Sequence, residues 1–447
     1  MKQQIQLSDH FTYGRLLRFI LPSVGMMIFT SIYMVVDGFF VSNFAGKTAF
    51  AAVNLIMPLI TIFATVGFIF GTGGSAIVAR YFGEGDKEKA NRCFSLFTYV
   101  SFGLGIILSV IGVVFIHPMT QALGAEGEML ENACLYARII LLALPFNILQ
   151  VYFQTFFITA EKPKLGFAVT VSSGCANILL DAILVILLPQ EYKLAGAAVA
   201  TATSQLVGGI VPLFYFGRKN SSILKLGRTK FDLRVLKKAC INGSSEFMTN
   251  VAMSVVGMLY NIQLLKYAGE NGVAAYGVMM YVSMIFSAAY IGYSIGVAPV
   301  IGYHYGAQNH SELKNLLRKS LIILGIFGTA MTVSGELSAV PLANIFVGYD
   351  KGLAEMTISG FRIFALSFVF MGYAIFASGF FTALSDGVIS AIISFLRTFI
   401  FQCAAVMLLP LIWKIDGIWI SIVVAEVAAV IISAVFIVAK RKKYKYC

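Results

Sequence analysis

Apolar residues arrive along this chain in long runs broken by short polar or Gly/Pro-rich stretches. The pattern predicts twelve helical spans, near residues 16–42, 51–79, 93–116, 132–157, 166–188, 195–216, 236–265, 273–302, 317–340, 358–383, 388–411 and 416–439. Each is long enough to cross about 30 Å of hydrocarbon, which takes roughly 20 residues of helix. The expected fold class is an all-α polytopic membrane protein of twelve transmembrane helices. The first run continues past Val41, too long for the apolar region of a cleaved signal, so it is expected to stay as a membrane helix.

Charge placement orients the spans. Of 33 Lys and Arg, 25 fall in the N-terminal segment, the loops after even-numbered spans and the C-terminal tail, and only five in the loops after odd-numbered spans. Cytoplasmic loops carry the excess of basic residues, so both termini are expected in the cytoplasm and the protein in the plasma (inner) membrane. The most basic loop, 218–235, lies at mid-chain and reads as a linker between two six-span lobes, 1–217 and 236–447.

Internal repetition supports two pseudo-symmetric lobes. A shift of 223 residues carries Ala45, Gly46, Ala51 and Ala52 onto Ala268, Gly269, Ala274 and Ala275, Gly83 onto Gly306, Pro118 onto Pro341, and Thr159 onto Thr382. Six spans is an even number, so the repeats enter the membrane alike and leave a cleft between lobes. Rocking about such a cleft is the plan of a secondary transporter.

Composition excludes other classes. With 59% hydrophobic and 12% charged residues, against about 25% charged in soluble domains, the chain is neither soluble nor disordered. The net charge of +12 sits in loops facing a membrane, so no nucleic-acid partner is expected. The six cysteines, ending at Cys447, show no CxxC pair or metal spacing, and the four histidines form no HExxH. No GxxxxGK[ST] loop occurs, and Gly71, Gly73 and Gly74 lie inside a span, where glycine serves close helix packing. No enzyme activity, cofactor or resident metal is expected, and the protein is expected to be a monomer.

An acid inside a span costs roughly 2.5 to 3.5 kcal/mol on the insertion scale, so each needs a reason. Asp37, Asp181 and Thr201 fall at one depth in the outer half of the first lobe, and Asn177 lies one helical turn from Asp181. Two carboxylates, an amide and a hydroxyl could hold Na⁺ or a proton, or could only tie helices together. Glu246 follows Asn242-Gly243-Ser244-Ser245, a string able to restart a helix, and serves either that helix N-terminus or a substrate or second-lobe cation site. Glu426 is expected to pair with Arg397. Pro22, 15 residues before Asp37, marks a hinge or a static kink. Gln150 and Gln154, amid abundant Met and aromatic residues, could line a pocket for amphipathic cations.

These residues resemble a known family. Asp37-Gly38-Phe39-Phe40-Val41, Ala51-Ala52-Val53 and Met57-Pro58 are similar to the first two helices of multidrug and toxic compound extrusion (MATE) transporters. Asn177-Ile178-Leu179-Leu180-Asp181, Gly196 to Thr201 and Gly306-Ala307-Gln308-Asn309 extend the resemblance over the chain. It implies an exporter of amphipathic, often cationic drugs, driven by inward H⁺ or Na⁺ and using alternating access. It places the cation site on Asp37, Asn177, Asp181 and Thr201 and the bent first helix on Pro22. Spans 8 and 10 carry no Asp or Glu, where some branches have acids, so Glu246 stands alone in the second lobe. The rival expectations are a lipid or lipid-linked oligosaccharide flippase of related fold, and a channel or receptor without uphill transport.

Overall fold

The computed structural model describes residues 5–446, so the terminal thiol of Cys447 lies outside the described residues. Among these residues the chain is helical, with no strand. Spans 1 to 6 are Tyr13–Ala45, Lys47–Gly83, Lys87–Ala122, Gly127–Thr159, Pro163–Leu187 and Gln190–Gly217. A helical stretch of 74 residues, Leu233–Gly306, follows. At 1.5 Å per residue it would measure about 110 Å, far more than one crossing needs. It breaks at Gly269, whose backbone is non-helical, and so supplies spans 7 and 8. Span 9 is His310–Val347; span 10 is the pair Lys351–Ala365 and Phe368–Ala383, bent by 46°; spans 11 and 12 come from Gly387–Leu408 and Pro410–Tyr444, the latter broken at Lys414, whose backbone is non-helical.

The 223-residue repeat recurs in the local chemistry. Gly46 and Gly269 both make the turn after the first span of their half, with φ of 103° and 64°, a region where a side chain is strained. Asp86 and Asn309, also 223 apart, cap the third helix of each half by accepting from the amides of Lys89 and Glu312. Such a cap stabilises a helix by about 1 kcal/mol.

Between helices in lipid no hydrophobic force acts, so close packing and hydrogen bonds must hold the halves together. Gly83 and Gly306 do this as a symmetric pair: a Cβ on Gly83 would collide with the Tyr303 carbonyl, and one on Gly306 with the Arg80 carbonyl. Nearby, the Asn242 amide donates to the Gly73 and Thr382 carbonyls at 3.1 and 2.9 Å.

Both termini lie at this same end, with Phe11 against His304 and Tyr444 against Tyr305. The N-terminal segment is strapped there as well, since the Phe11 amide and the His10 ring both meet the Glu312 carboxylate, at 2.9 and 2.6 Å. Among the described residues, the hydrogen bonds, ion pairs and ring contacts that join spans 1–6 to spans 7–12 cluster at this terminal end. None of them joins the halves at the opposite, far end.

Candidate functional site

Asp37 sits near the far end of span 1, in a stretch where the helix loosens. Directly after it, Val41–Ala45 widens into a π turn, and the Val41 amide reaches back to the carbonyls of Asp37 and Gly38. Such turns recur at functional sites because they re-aim a side chain within a helix. Asp181 is six residues from the end of its own helix, about 9 Å along the axis.

The first half brings the predicted set together. The Thr201 hydroxyl donates to Asp37 Oδ1 at 3.2 Å, and the Asn177 amide donates to Thr201 Oγ1 at 3.4 Å. Asp181 is fully buried, Asn177 nearly so, and Asp37 is 8% exposed. Neither oxygen of Asp181 and not the carbonyl oxygen of Asn177 has a hydrogen-bond partner among the described residues. No Lys, Arg or His among them makes an ion pair with either aspartate. Two ionised carboxylates so placed would cost many kcal/mol, so the cluster requires an added positive charge, a proton or a small cation bound by oxygen.

Sequence reasoning missed two neighbours. Tyr33, one turn before Asp37, is buried beside it, and its spacing was a usable signal. Tyr136 comes from span 4, is fully buried and lies near Thr201, within electrostatic reach of Asp37 and Asp181. A tyrosine in an apolar span carries no sequence signal of that placement.

The remaining candidates lie elsewhere. Gln150 and Gln154 are buried inside the first half rather than on the cleft between halves. Gln150 donates to Ser173 Oγ at 3.1 Å, which donates to the Ser204 carbonyl at 2.6 Å, so this amide ties spans 4, 5 and 6 together. Both glutamines border a cavity of only about 10 Å³, too small for a drug. Glu246 is partly buried in the other half and does not join them. The expected helix restart before it does not occur: the helix runs unbroken from Leu233 to the kink at Gly269, because Asn242 spends its amide on neighbouring spans and not on a cap. Glu246 therefore neutralises no helix N-terminus. Pro22 lies within a helix that continues through it, so the carbonyl of Arg18 one turn earlier loses its amide donor.

Glu426 and Arg397 do meet. The guanidinium grips the carboxylate through Nε at 2.9 and 3.1 Å and Nη2 at 2.8 Å, with the glutamate wholly buried. Arg397 is carried on the π segment Leu396–Phe401.

Known proteins resemble this chain along most of its length. The model of the MatE family matches residues 22–183 and again 247–407, one copy in each half. The multidrug export protein MepA of Staphylococcus haemolyticus is 28% identical over 74% of this chain and 73% of its own length. The protein of that name from Staphylococcus aureus MRSA252 is 23% identical over 84% and 82%. Among solved structures, the outward-facing conformation of a multidrug resistance MATE family transporter matches with a TM-score of 0.93 at 22% identity, covering all of both chains. MATE in the straight conformation matches at 0.92 and 23%, again covering all of both. The twelve-span fold and the twice-matching family model together mean that this chain belongs to the MatE family of transporters.

Proposed function

We propose that this protein is a secondary active multidrug exporter that expels amphipathic organic cations in exchange for inward H⁺ or Na⁺, with both termini in the cytoplasm. The names of its relatives and the basic terminal end support that reading. The observation that carries the coupling is the fully buried Asp181 beside Asp37, whose oxygens have no partner among the described residues.

Asp37, Asn177, Asp181 and Thr201 take the cation when the cleft opens outward. Neutralising the carboxylates changes the packing of span 1 against spans 5 and 6, with Pro22 as the hinge, and the substrate leaves. The empty protein then reverts and accepts substrate from the cytoplasm. Coupling requires that cation and substrate prefer different states, since a ligand shifts an equilibrium only by its differential affinity.

The test is reconstitution in liposomes, with a sodium gradient and a pH gradient imposed separately, while uptake of a fluorescent organic cation is followed. Uphill accumulation under one gradient is expected, and its loss in Asp37→Asn and Asp181→Asn. Flux indifferent to both gradients would overturn the proposal, as would variants that still concentrate the dye at the parent rate.

A further inference from the structure

One surface feature at the terminal end is left over from the transport reading. Spans 1 and 5 diverge below Gly25 and leave a groove of about 540 Å³ lined by Gly14, Leu17, Arg18, Leu21, Pro22, Lys164 and Phe167. On span 1 the positions 14, 18, 21, 22 and 25 follow one helical face. At Gly25 the Phe167 ring closes the groove, 2.9 Å from where a Cβ would stand. Toward the terminal end it is open, with nothing within 4 Å of a Cβ on Gly14.

Its chemistry is divided along its length. Leu21 and Phe167, 53% and 38% exposed, offer an apolar wall at membrane depth. Arg18 and Lys164 stand one turn nearer the terminal end, both exposed. Neither has an ion-pair or hydrogen-bond partner among the described residues, and no acid lines the groove. Some basic residues at this end are engaged, as Arg80 is with Glu84, Arg92 with Glu88 and Lys443 with Asp386. Lys164 sits in the first turn of its helix, directly after Pro163.

We propose that this groove is a binding site for an anionic phospholipid, with the phosphate between Arg18 and Lys164 and an acyl chain along Leu17, Leu21 and Phe167. A zwitterionic lipid would fill the apolar wall equally well but would leave two cations opposed by a choline or ethanolamine group. The selectivity therefore lies in the headgroup. Because Pro22 lines the wall, the bound lipid touches span 1 at its proline.

Quenching by brominated lipids tests this without any transport measurement, so its outcome is independent of the proposed export activity. Trp413 is 52% exposed and is replaced in a Trp413→Phe background, while Trp419, 2% exposed, stays silent to lipid. Leu21→Trp then reports the groove, and Ile431→Trp, on a 58% exposed position of span 12, reports ordinary lipid contact. Brominated phosphatidylglycerol should half-quench the groove reporter at about fivefold lower mole fraction than brominated phosphatidylcholine, from the charge attraction of two basic residues. That preference should be absent at Ile431→Trp and should vanish in Arg18→Gln/Lys164→Gln. Equal quenching by the two lipids would overturn the proposal, as would a preference that survives the double substitution. Full recovery of fluorescence on adding millimolar inorganic phosphate would assign the cations to a soluble anion instead. An unchanged Trp419 emission in the double variant certifies the fold.

Discussion

The two halves share a fold but not a chemistry. The 223-residue shift that aligns their turns and caps carries Asp37 onto Tyr260, Asn177 onto Ile400, Asp181 onto Ala404 and Thr201 onto Val424. Where the first half has two buried carboxylates and no built-in cation, the second has a neutral tyrosine whose hydroxyl meets Ser421 Oγ at 2.9 Å. Its fully buried acid, Glu426, already holds the guanidinium of Arg397, and its other buried acid, Glu312, meets the His10 ring and the Phe11 amide. A carboxylate gripped at three distances under 3.2 Å by a tethered cation has no need of a mobile one. The aspartates of the first half have that need, and the contrast is what makes them readable as the proposed coupling site.

The sharpest way to break this comparison is to neutralise each half in turn. Asp37→Asn or Asp181→Asn should abolish gradient-driven dye accumulation, a loss of about a hundredfold or more if the positive charge bound there is the coupling step. Glu426→Gln should leave the driving ion and its stoichiometry unchanged when measured in the same liposomes. If the two losses were equal, the halves would have to share the coupling.

Stability sharpens it from the other side. Arg397→Ala strands a buried carboxylate and should cost about 3 to 5 kcal/mol, whereas replacing both partners by Met should cost little or even stabilise. Thermal unfolding in detergent reads the difference. Next in size, Gly83→Val wedges a side chain into the Tyr303 carbonyl at the joint between halves. Overpacking of this kind costs about 1 to 3 kcal/mol. It should also open the terminal end, visible as faster thiol labelling of a Cys placed at Ala76, which is buried there. The smallest effect belongs to Tyr260→Phe, which loses one neutral hydrogen bond worth about 1 kcal/mol and should leave transport within twofold of the parent.

Much of the site was legible beforehand because the membrane penalises charge. Asp37, Asp181, Asn177 and Thr201 stand out at matching depths, and the expected Glu426 to Arg397 pair forms because each charge buried in hydrocarbon needs an opposite one. Of the two roles open to Glu246, the helix-restart one is not realised: the Gly-Ser string that could restart a helix in water stays helical here, since the backbone has no water to turn to. Gln150 and Gln154 were placed on a pocket by spacing alone, but spacing fixes a helix face and not what faces it. Their face looks into the first half, where Ser173 and Gly208 receive Gln150.

By itself, then, the sequence determined the number of spans, the repeat, the basic end and the rare polar residues, because each follows from the cost of placing a group in hydrocarbon. The tertiary structure alone decided which helices meet: that Tyr136 of a distant span comes near Thr201, that Asn242 bridges the halves, and that Gly83 and Gly306 bring the two halves into close contact. Those are contacts between segments far apart in the chain. Hydropathy assigns a residue its depth, but only packing assigns its neighbours.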